Sequence, residues 1–341
     1  MATSTRPLLK ELLDKLDEEK EKLSPIIVEE KEKLEAALAA EKPDERLIDR
    51  LEKSLKDTIR STQPPPPEPL PVVVVTGANR GIGLAVVRAL SVKLGATVQI
   101  LATTRDLAHG VEAWKREGSP ANVTFTQLDV THAPSVDAFV QRELAGRRVS
   151  ALVNNAGYGS TTHVSMNVAR QTLAVNTFGV IALTDAVLPF MTPGSRVVTV
   201  SSFNGELNHS YSAAKRAAIR TAPTIPAVRA LGERFLADMA AGSDKTEGWG
   251  HGGFGGMCGY CVSKALVNRA GQVWAASREA QGIWVASACP GWVDTRMGGA
   301  GAPLSPDEGA AGVVLLATAP LDKLGGSGLF WRHGKQVPYE V

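Results

Sequence analysis

The stretch VVVVTGANRGIGLAVVRAL, residues 72–90, decides the fold. Four consecutive valines suit a strand buried on both faces, the situation of a parallel sheet. The residues after Gly81 read as a helix, and Gly77, Gly81 and Gly83 occupy the strand-to-helix turn. Without side chains, the backbone there can approach a pyrophosphate, whose charge is favoured by the helix N-terminus. A glycine-rich turn alone has many uses. One that leaves a strand and opens a helix has the context that dinucleotide binding requires.

Working outward, five more short β-branched or apolar runs occur: TVQILAT (97–103), VTFTQL (123–128), SALV (150–153), RVVTVS (196–201) and IWVASA (283–288). Helical stretches separate most of them. This alternation predicts an α/β fold with a Rossmann-like, doubly wound parallel sheet. No solenoid-type repeat interrupts it.

Residues 1–61 have a different texture, crowded with Glu, Lys, Asp and Leu and devoid of glycine. Leu9, Leu12, Leu16 and Leu23 recur at helical spacing, as do Leu47, Leu51, Leu55 and Ile59. Ser24-Pro25 reads as an N-cap followed by a first-turn proline, and Pro43 marks a similar break. The expectation is an all-α extension of two or three short helices. It either packs on itself as a solvated appendage or mediates a protein contact or self-association. Residues 62–71, within STQPPPPEPLP, predict a stiff proline-rich linker. The remainder, 72–341, is read as one α/β domain.

Composition narrows the function classes. The apolar fraction of 44% suits a sizeable core, and a net charge of +2 gives no pull toward nucleic acid or anionic membranes. Three cysteines, Cys258, Cys261 and Cys289, are too few for a disulfide framework and fit a reducing compartment. No run of 18 or more apolar residues suggests a membrane span, and the acidic N-terminus resembles neither a secretory signal nor a transit peptide. The expected location is cytoplasmic, and the six histidines show no metal spacing.

The Gly-x-x-x-Gly-x-Gly turn resembles that of the short-chain dehydrogenase/reductase family. LVNNAGYG (152–159), LAVNTFG (173–179), VVTVSS (197–202) and ACPGWVDTRM (288–297) extend the resemblance over 72–341. It implies that Gly77, Asn79, Arg80, Gly81, Ile82 and Gly83 hold the cofactor's phosphates and that Asp129 and Val130 reach the adenine. Asn155, Ala156 and Gly157 would line the cofactor, with Pro290, Gly291, Val293 and Thr295 beside the nicotinamide. A ribose-binding acid belongs at the end of the second strand. Here ATTRD places Arg105 at that end, with Asp106 one position later. Arg80 and Arg105 read singly as solvated surface side chains, and together as cations for a 2′-phosphate. The cofactor expected is therefore NADP(H).

Two Tyr-x-x-x-Lys patterns compete for the catalytic role, Tyr211/Lys215 and Tyr260/Lys264. A phenol with an ordinary pKa of about 10 needs a neighbouring cation to act near neutrality, and a lysine one helical turn away supplies it. Spacing alone does not choose. Topology does, because a parallel strand needs a crossover that is usually one helix. CVSKALVNRAGQVWAASREAQG runs from Tyr260 directly into IWVASA, whereas GWGHGGFGG breaks the path from Tyr211. The carbonyl-reductase branch, with similar plant menthol- and alkaloid-type reductases, carries a long helical insertion between its serine and tyrosine. The corresponding insertion here spans about 204–256.

The resemblance then implies that Tyr260 protonates a ketone or aldehyde oxygen while NADPH gives hydride. Ser202 would stabilise that oxygen, Lys264 would lower the tyrosine pKa and hold the nicotinamide ribose, and Asn176 would order a proton-supplying water. Trp249, Phe254, Trp292 and Met297 either line the substrate mouth or pack ordinarily. CGYC (258–261) mimics a redox motif, but its tyrosine has another role, so two spectator thiols are expected. His251 is expected to be exposed in its glycine-rich loop. The catalytic domain is expected to be monomeric, with a small-molecule carbonyl as partner. The rival reading is an NADP(H)-sensing scaffold that acts through its N-terminal helices.

Overall fold

A computed structural model describes residues 7–18, 22–40, 42–62, 69–118, 120–159, 165–250 and 258–339. His251, Phe254 and most of the proline-rich linker lie outside the described residues. The chain divides into two compact units, 1–68 and 69–341.

In the first unit, α1 (Pro7–Glu18), α2 (Pro25–Ala39) and α3 (Glu45–Thr62) bury Leu9, Leu13, Leu16, Ile27, Leu34, Leu38, Ile48 and Leu55 around one core. The apolar stripe of α3 runs through Ile48 rather than Leu47, which is exposed. Leu51 and Ile59 flank Ile48 and Leu55 at helical spacing and pack against the same core. Lys31 is almost fully buried, and its ammonium lies 2.7 Å from Asp17 and 2.6 Å from Glu35, so the charge enters the core edge already paired. Ser24 caps α2 through its backbone carbonyl, which accepts from Ile27 and Val28; its hydroxyl makes no capping bond.

The second unit is built on an eight-stranded sheet. Its strands are β1 (Val72–Val75), β2 (Gln99–Thr104), β3 (Val123–Gln127), β4 (Val149–Asn154), β5 (Met191–Val200), β6 (Trp284–Cys289), β7 (Leu329–Arg332) and β8 (Lys335–Val337). The order is β3-β2-β1-β4-β5-β6-β7-β8. Every pairing is parallel except β7 with β8. The four valines of β1 are all buried because β1 is flanked by strands and covered on both faces.

One face is covered by α4 (Gly81–Leu94), α5 (Leu107–Arg116) and α12 (Pro306–Thr318). The other carries α6 (Ala133–Phe139), α7 (Met166–Leu173), α8 (Val180–Val187) and α11 (Cys258–Arg278). This is the doubly wound α/β architecture expected. The order reverses between β1 and β4, which opens a crevice at the carboxyl ends of the strands. α11 is the crossover from β5 to β6. Between β5 and α11 the chain adds α9 (Ala213–Thr221) and α10 (Ile225–Ala240), and α10 packs on α7 and α11.

Met166–Phe190, interrupted by a π-helical segment at Ala174–Gly179, is long and apolar enough to cross a membrane by length and composition. Its most apolar window is 56% buried inside the domain, where it forms one wall of the core.

Candidate active site

At the end of β1, Gly77 (φ +63°) and Gly81 (φ +54°) adopt the left-handed conformation that glycine tolerates best. Gly83 is required for a different reason. A Cβ there would stand 2.3 Å from the Gly77 carbonyl oxygen and 2.4 Å from Asn155 Nδ2, so any side chain would push the turn off its helix. The turn is tied to β4 from the other side. Asn155 Nδ2 donates to the carbonyls of Thr76 (2.8 Å) and Gly77 (3.1 Å). Thr76 Oγ1 accepts from the backbone N–H groups of Asn155 and Ala156, both at 2.9 Å. Asn155 thus shapes the cradle through its side chain. Thr76, which no sequence motif singles out, is the hinge pin of the arrangement. No side chain caps α4, whose first amides open toward the crevice, and Arg80 at its N-cap is exposed.

At the end of β2, Arg105 is exposed and Asp106 is committed elsewhere. Asp106 caps α5, accepting from the His109 N–H at 3.1 Å and facing His109 Nδ1 at 3.0 Å. Asp129, at the end of β3, accepts from the Thr131 N–H at 2.9 Å and the Thr131 hydroxyl at 2.7 Å. Burial pulls its pKa upward. The Thr131 bonds and the charges of Arg105 and His132 outweigh that and hold the carboxyl below its ordinary value.

The Tyr260/Lys264 pair lies where β5, α7 and α11 meet. Tyr260 is in the first turn of α11 and Lys264 one turn later. Lys264 Nζ is buried, donates to the Val200 carbonyl at 2.7 Å, and lies 5.7 Å from the centroid of the Tyr260 ring. Ser202, buried beyond the end of β5, stands near enough to the Tyr260 hydroxyl to hold its pKa down, and accepts from the Asn204 N–H at 3.2 Å. Burial pushes the Tyr260 phenol up to about 12, with Ser202 acting against it. Burial also draws the Lys264 ammonium down to about 8.

Asn176 sits in the π-helical segment, where its carboxamide accepts from the Tyr158 N–H (2.8 Å) and donates to the Tyr158 carbonyl (2.8 Å) and Ser263 Oγ (3.0 Å). Ser263 Oγ in turn donates to the Tyr260 carbonyl at 2.8 Å, and Thr177 Oγ1 donates to the Ser263 carbonyl at 3.0 Å. Asn176, Thr177 and Ser263 therefore lock α11 against α7 and the 155–158 segment. Sequence reasoning missed Ser263 and Thr177; the signal was a serine directly before Lys264 and a threonine directly after Asn176.

The other pair is built differently. Tyr211 precedes Ser212, the N-cap of α9, so it is not on the helix that carries Lys215. Lys215 Nζ lies 3.2 Å from Glu247, 3.7 Å from Asp238 and 4.4 Å from the centroid of the Trp249 ring. Trp249 is fully buried and donates to Asp238 at 2.8 Å, so its role is packing. Trp292 and Met297 are exposed in the 290–304 segment. In that segment Val293 is buried, Gly291 has φ +85°, Pro290 is half-buried and Thr295 closes over Gly81. Cys258, Cys261 and Cys289 are buried and form no disulfide among the described residues, and burial pushes Cys258 up to about 12 and Cys261 up to about 11. Burial favours the protonated thiol, which is the weaker nucleophile.

Residues 71–225 match the family model described as short chain dehydrogenase. Carbonyl reductase (NADPH) 1 of Sus scrofa is 32% identical over 286 residues, covering 79% of this chain and 94% of that protein. The chain belongs to the short-chain dehydrogenase family. Among solved members, salutaridine reductase from Papaver somniferum has a TM-score of 0.66 at 27% identity, covering 76% of this chain and 99% of that one. The NADPH-bound carbonyl reductase from chicken fatty liver shares the fold with a TM-score of 0.57 at 23% identity, covering 79% of this chain and 99% of that one. The matched segment of the family model encloses Tyr211/Lys215 and ends before Tyr260. The relatives span both pairs.

Proposed function

We propose that the protein reduces a ketone or aldehyde to the alcohol with NADPH, using Tyr260 as proton donor. The observation that carries this reading is a phenol near Ser202, with the buried Lys264 ammonium 5.7 Å from its ring, at the carboxyl ends of a parallel sheet whose strand order reverses nearby.

The crevice fits a dinucleotide because the space at Gly83 admits no side chain and α4 presents uncapped amides. Gly77, Asn79, Arg80, Gly81, Ile82 and Gly83 would hold the phosphates, with Asp129 and Val130 toward the adenine. Ala156 and Gly157 would line the cofactor above the Asn155 brace, and Pro290, Gly291, Val293 and Thr295 would border the nicotinamide. Arg80 and Arg105 suit a 2′-phosphate, and the commitment of Asp106 to α5 removes the acid that would favour a free ribose hydroxyl. The NADPH in the relatives' names supports the same choice. When bound, NADPH supplies the hydride.

Ser202 Oγ and Tyr260 Oη hold the substrate oxygen, and the phenol passes its proton to that oxygen as negative charge develops. Lys264, which pairs with no carboxylate among the described residues, stabilises the phenolate left behind. Near neutrality the phenol is protonated and the ammonium charged, the starting state for reduction. Asn176 acts as a positioning residue, because its carboxamide is spent on Tyr158 and Ser263. Three buried cysteines held as thiols are consistent with a reducing, cytoplasmic setting.

Purified protein mixed with NADPH and a panel of ketones, aldehydes and quinones should consume NADPH with at least one of them. Tyr260→Phe should lower kcat by about 10²–10⁴-fold, the share of general acid catalysis. No consumption with any substrate, or full activity in Tyr260→Phe, would sink the reading.

A further inference from the structure

The loop that leaves Ser202 is held on two sides. On one side it is pressed against α11. Ser202 opens the short helical turn Phe203–Gly205, whose Gly205 N–H donates to the Ser202 carbonyl at 2.9 Å. A Cβ at Gly205 would stand 2.7 Å from both the carbonyl carbon and the Cβ of Lys264, so only glycine lets the turn lie this close to the helix. Asn268, one turn after Lys264, donates to the Gly205 carbonyl at 3.4 Å. This contact fixes Ser202 relative to the helix that carries Tyr260 and Lys264.

On the other side lies the C-terminal segment, which contributes no group to the proton transfer. Arg332, at the end of β7, stands 3.5 Å from Glu206 in the same loop. Tyr339, two residues beyond β8, joins the loop to the helix. Its carbonyl accepts from the Leu207 N–H at 3.2 Å, and its phenol donates to the Ala265 carbonyl at 2.7 Å. Leu207 belongs to the loop that starts at Ser202, and Ala265 directly follows Lys264.

Ring and hydroxyl of Tyr339 have separable roles. The ring meets Phe330 edge-on, 6.4 Å between centroids, and packs on the core that α11 helps to form. Phenylalanine would do the same. Ala265 is inside α11, where the helix backbone supplies a donor to its carbonyl. The phenol is therefore an added tether between the C-terminal segment and the turn of α11 that follows Lys264.

We propose that Tyr339 is a positioning residue. By bridging Leu207 and Ala265 it sets the separation between Ser202 and α11, and so the geometry in which Ser202 Oγ and Tyr260 Oη hold the carbonyl oxygen. It touches neither substrate nor cofactor and transfers no proton. This inference rests on the reading of Ser202 and Tyr260 as the groups that hold that oxygen.

The test is a double-mutant cycle on carbonyl reduction with NADPH, combining Tyr339→Phe with Ser202→Ala, with urea midpoints measured alongside so that rates are compared for folded protein. Tyr339→Phe keeps the ring and the backbone bond to Leu207 and removes only the tether to α11. Alone it should lower kcat about tenfold, a modest misplacement of reacting groups, and leave the KM for NADPH within about twofold. Ser202→Ala alone should retain roughly a hundredth of the wild-type rate, enough to read the next step. In that background no serine hydroxyl is left to misplace, so adding Tyr339→Phe should change kcat by less than about twofold. An unchanged kcat in Tyr339→Phe would overturn the proposal. So would an equal fold loss in both backgrounds, the mark of a role that does not act through Ser202. Failure of wild type to reduce any carbonyl would instead overturn the reading of Tyr260, and this inference with it.

Discussion

Tyr211/Lys215 and Tyr260/Lys264 share one spacing and differ in everything that spacing does not specify. Tyr260 and Lys264 are both inside α11, so one helical turn brings the ammonium to 5.7 Å from the ring. Tyr211 lies outside α9, on the far side of the N-cap Ser212, and the helical register that would align it with Lys215 never begins. The lysines diverge as sharply. Lys264 is buried and, among the described residues, donates only to a backbone carbonyl, leaving its charge available to the phenol. Lys215 is held by Glu247 and Asp238 over Trp249, and its charge is used to close the insertion on itself. A motif becomes a site when the helix boundary and the counterions permit it.

The contrast can be broken most forcefully at the lysines. Lys264→Met should slow carbonyl reduction on the order of a hundredfold, because a developing phenolate would lose the cation one helical turn away. In wild type the Lys264 ammonium is charged below about 8. The reduction rate should therefore fall as pH rises through that value, and this limb should be missing from the kcat–pH profile of Lys264→Met. An unchanged profile in the variant would detach the lysine from the chemistry.

A smaller effect is expected from Lys215→Met. It should leave the pH profile unaltered and lower stability by roughly 1 kcal/mol, read as a shift in the urea midpoint, since Asp238 keeps Arg234 and Trp249 when the lysine goes. A change in the pH limb with no change in stability would move Lys215 into the site.

Much of this architecture is legible along the chain, for physical reasons. Buried parallel strands must be mostly apolar, so β1, β4 and β6 announce themselves, whereas the edge strand β3 shows only a β-branched and aromatic texture. The glycine turn is legible because only glycine satisfies both the left-handed backbone at Gly77 and Gly81 and the contact at Gly83. The hairpin of β7 and β8 is harder to find, although His333 (φ 51°) and Gly334 (φ 72°) form the kind of two-residue, left-handed turn that joins antiparallel strands. Its strands are short, and β8 lies at the exposed edge, where alternation carries little signal.

Side-chain commitments are the least legible feature. Nothing in the string ATTRD shows that Asp106 turns to cap α5, or that the Asn155 carboxamide braces the glycine turn. Those choices depend on which amides tertiary packing leaves unpaired. Leu47 and Ile48 pose the same difficulty at shorter range, since adjacent apolar residues both fit a helical period and only the neighbouring helices select one.

The central claim, that Tyr260 and not Tyr211 meets the reacting carbonyl, is tested most directly by a ternary structure with NADP⁺ and an unreactive carbonyl analogue. The analogue's carbonyl oxygen should lie about 2.6–3.2 Å from both Tyr260 Oη and Ser202 Oγ. A carbonyl oxygen bonded instead to Tyr211, with Tyr260 and Ser202 bonded only to each other, would contradict the account.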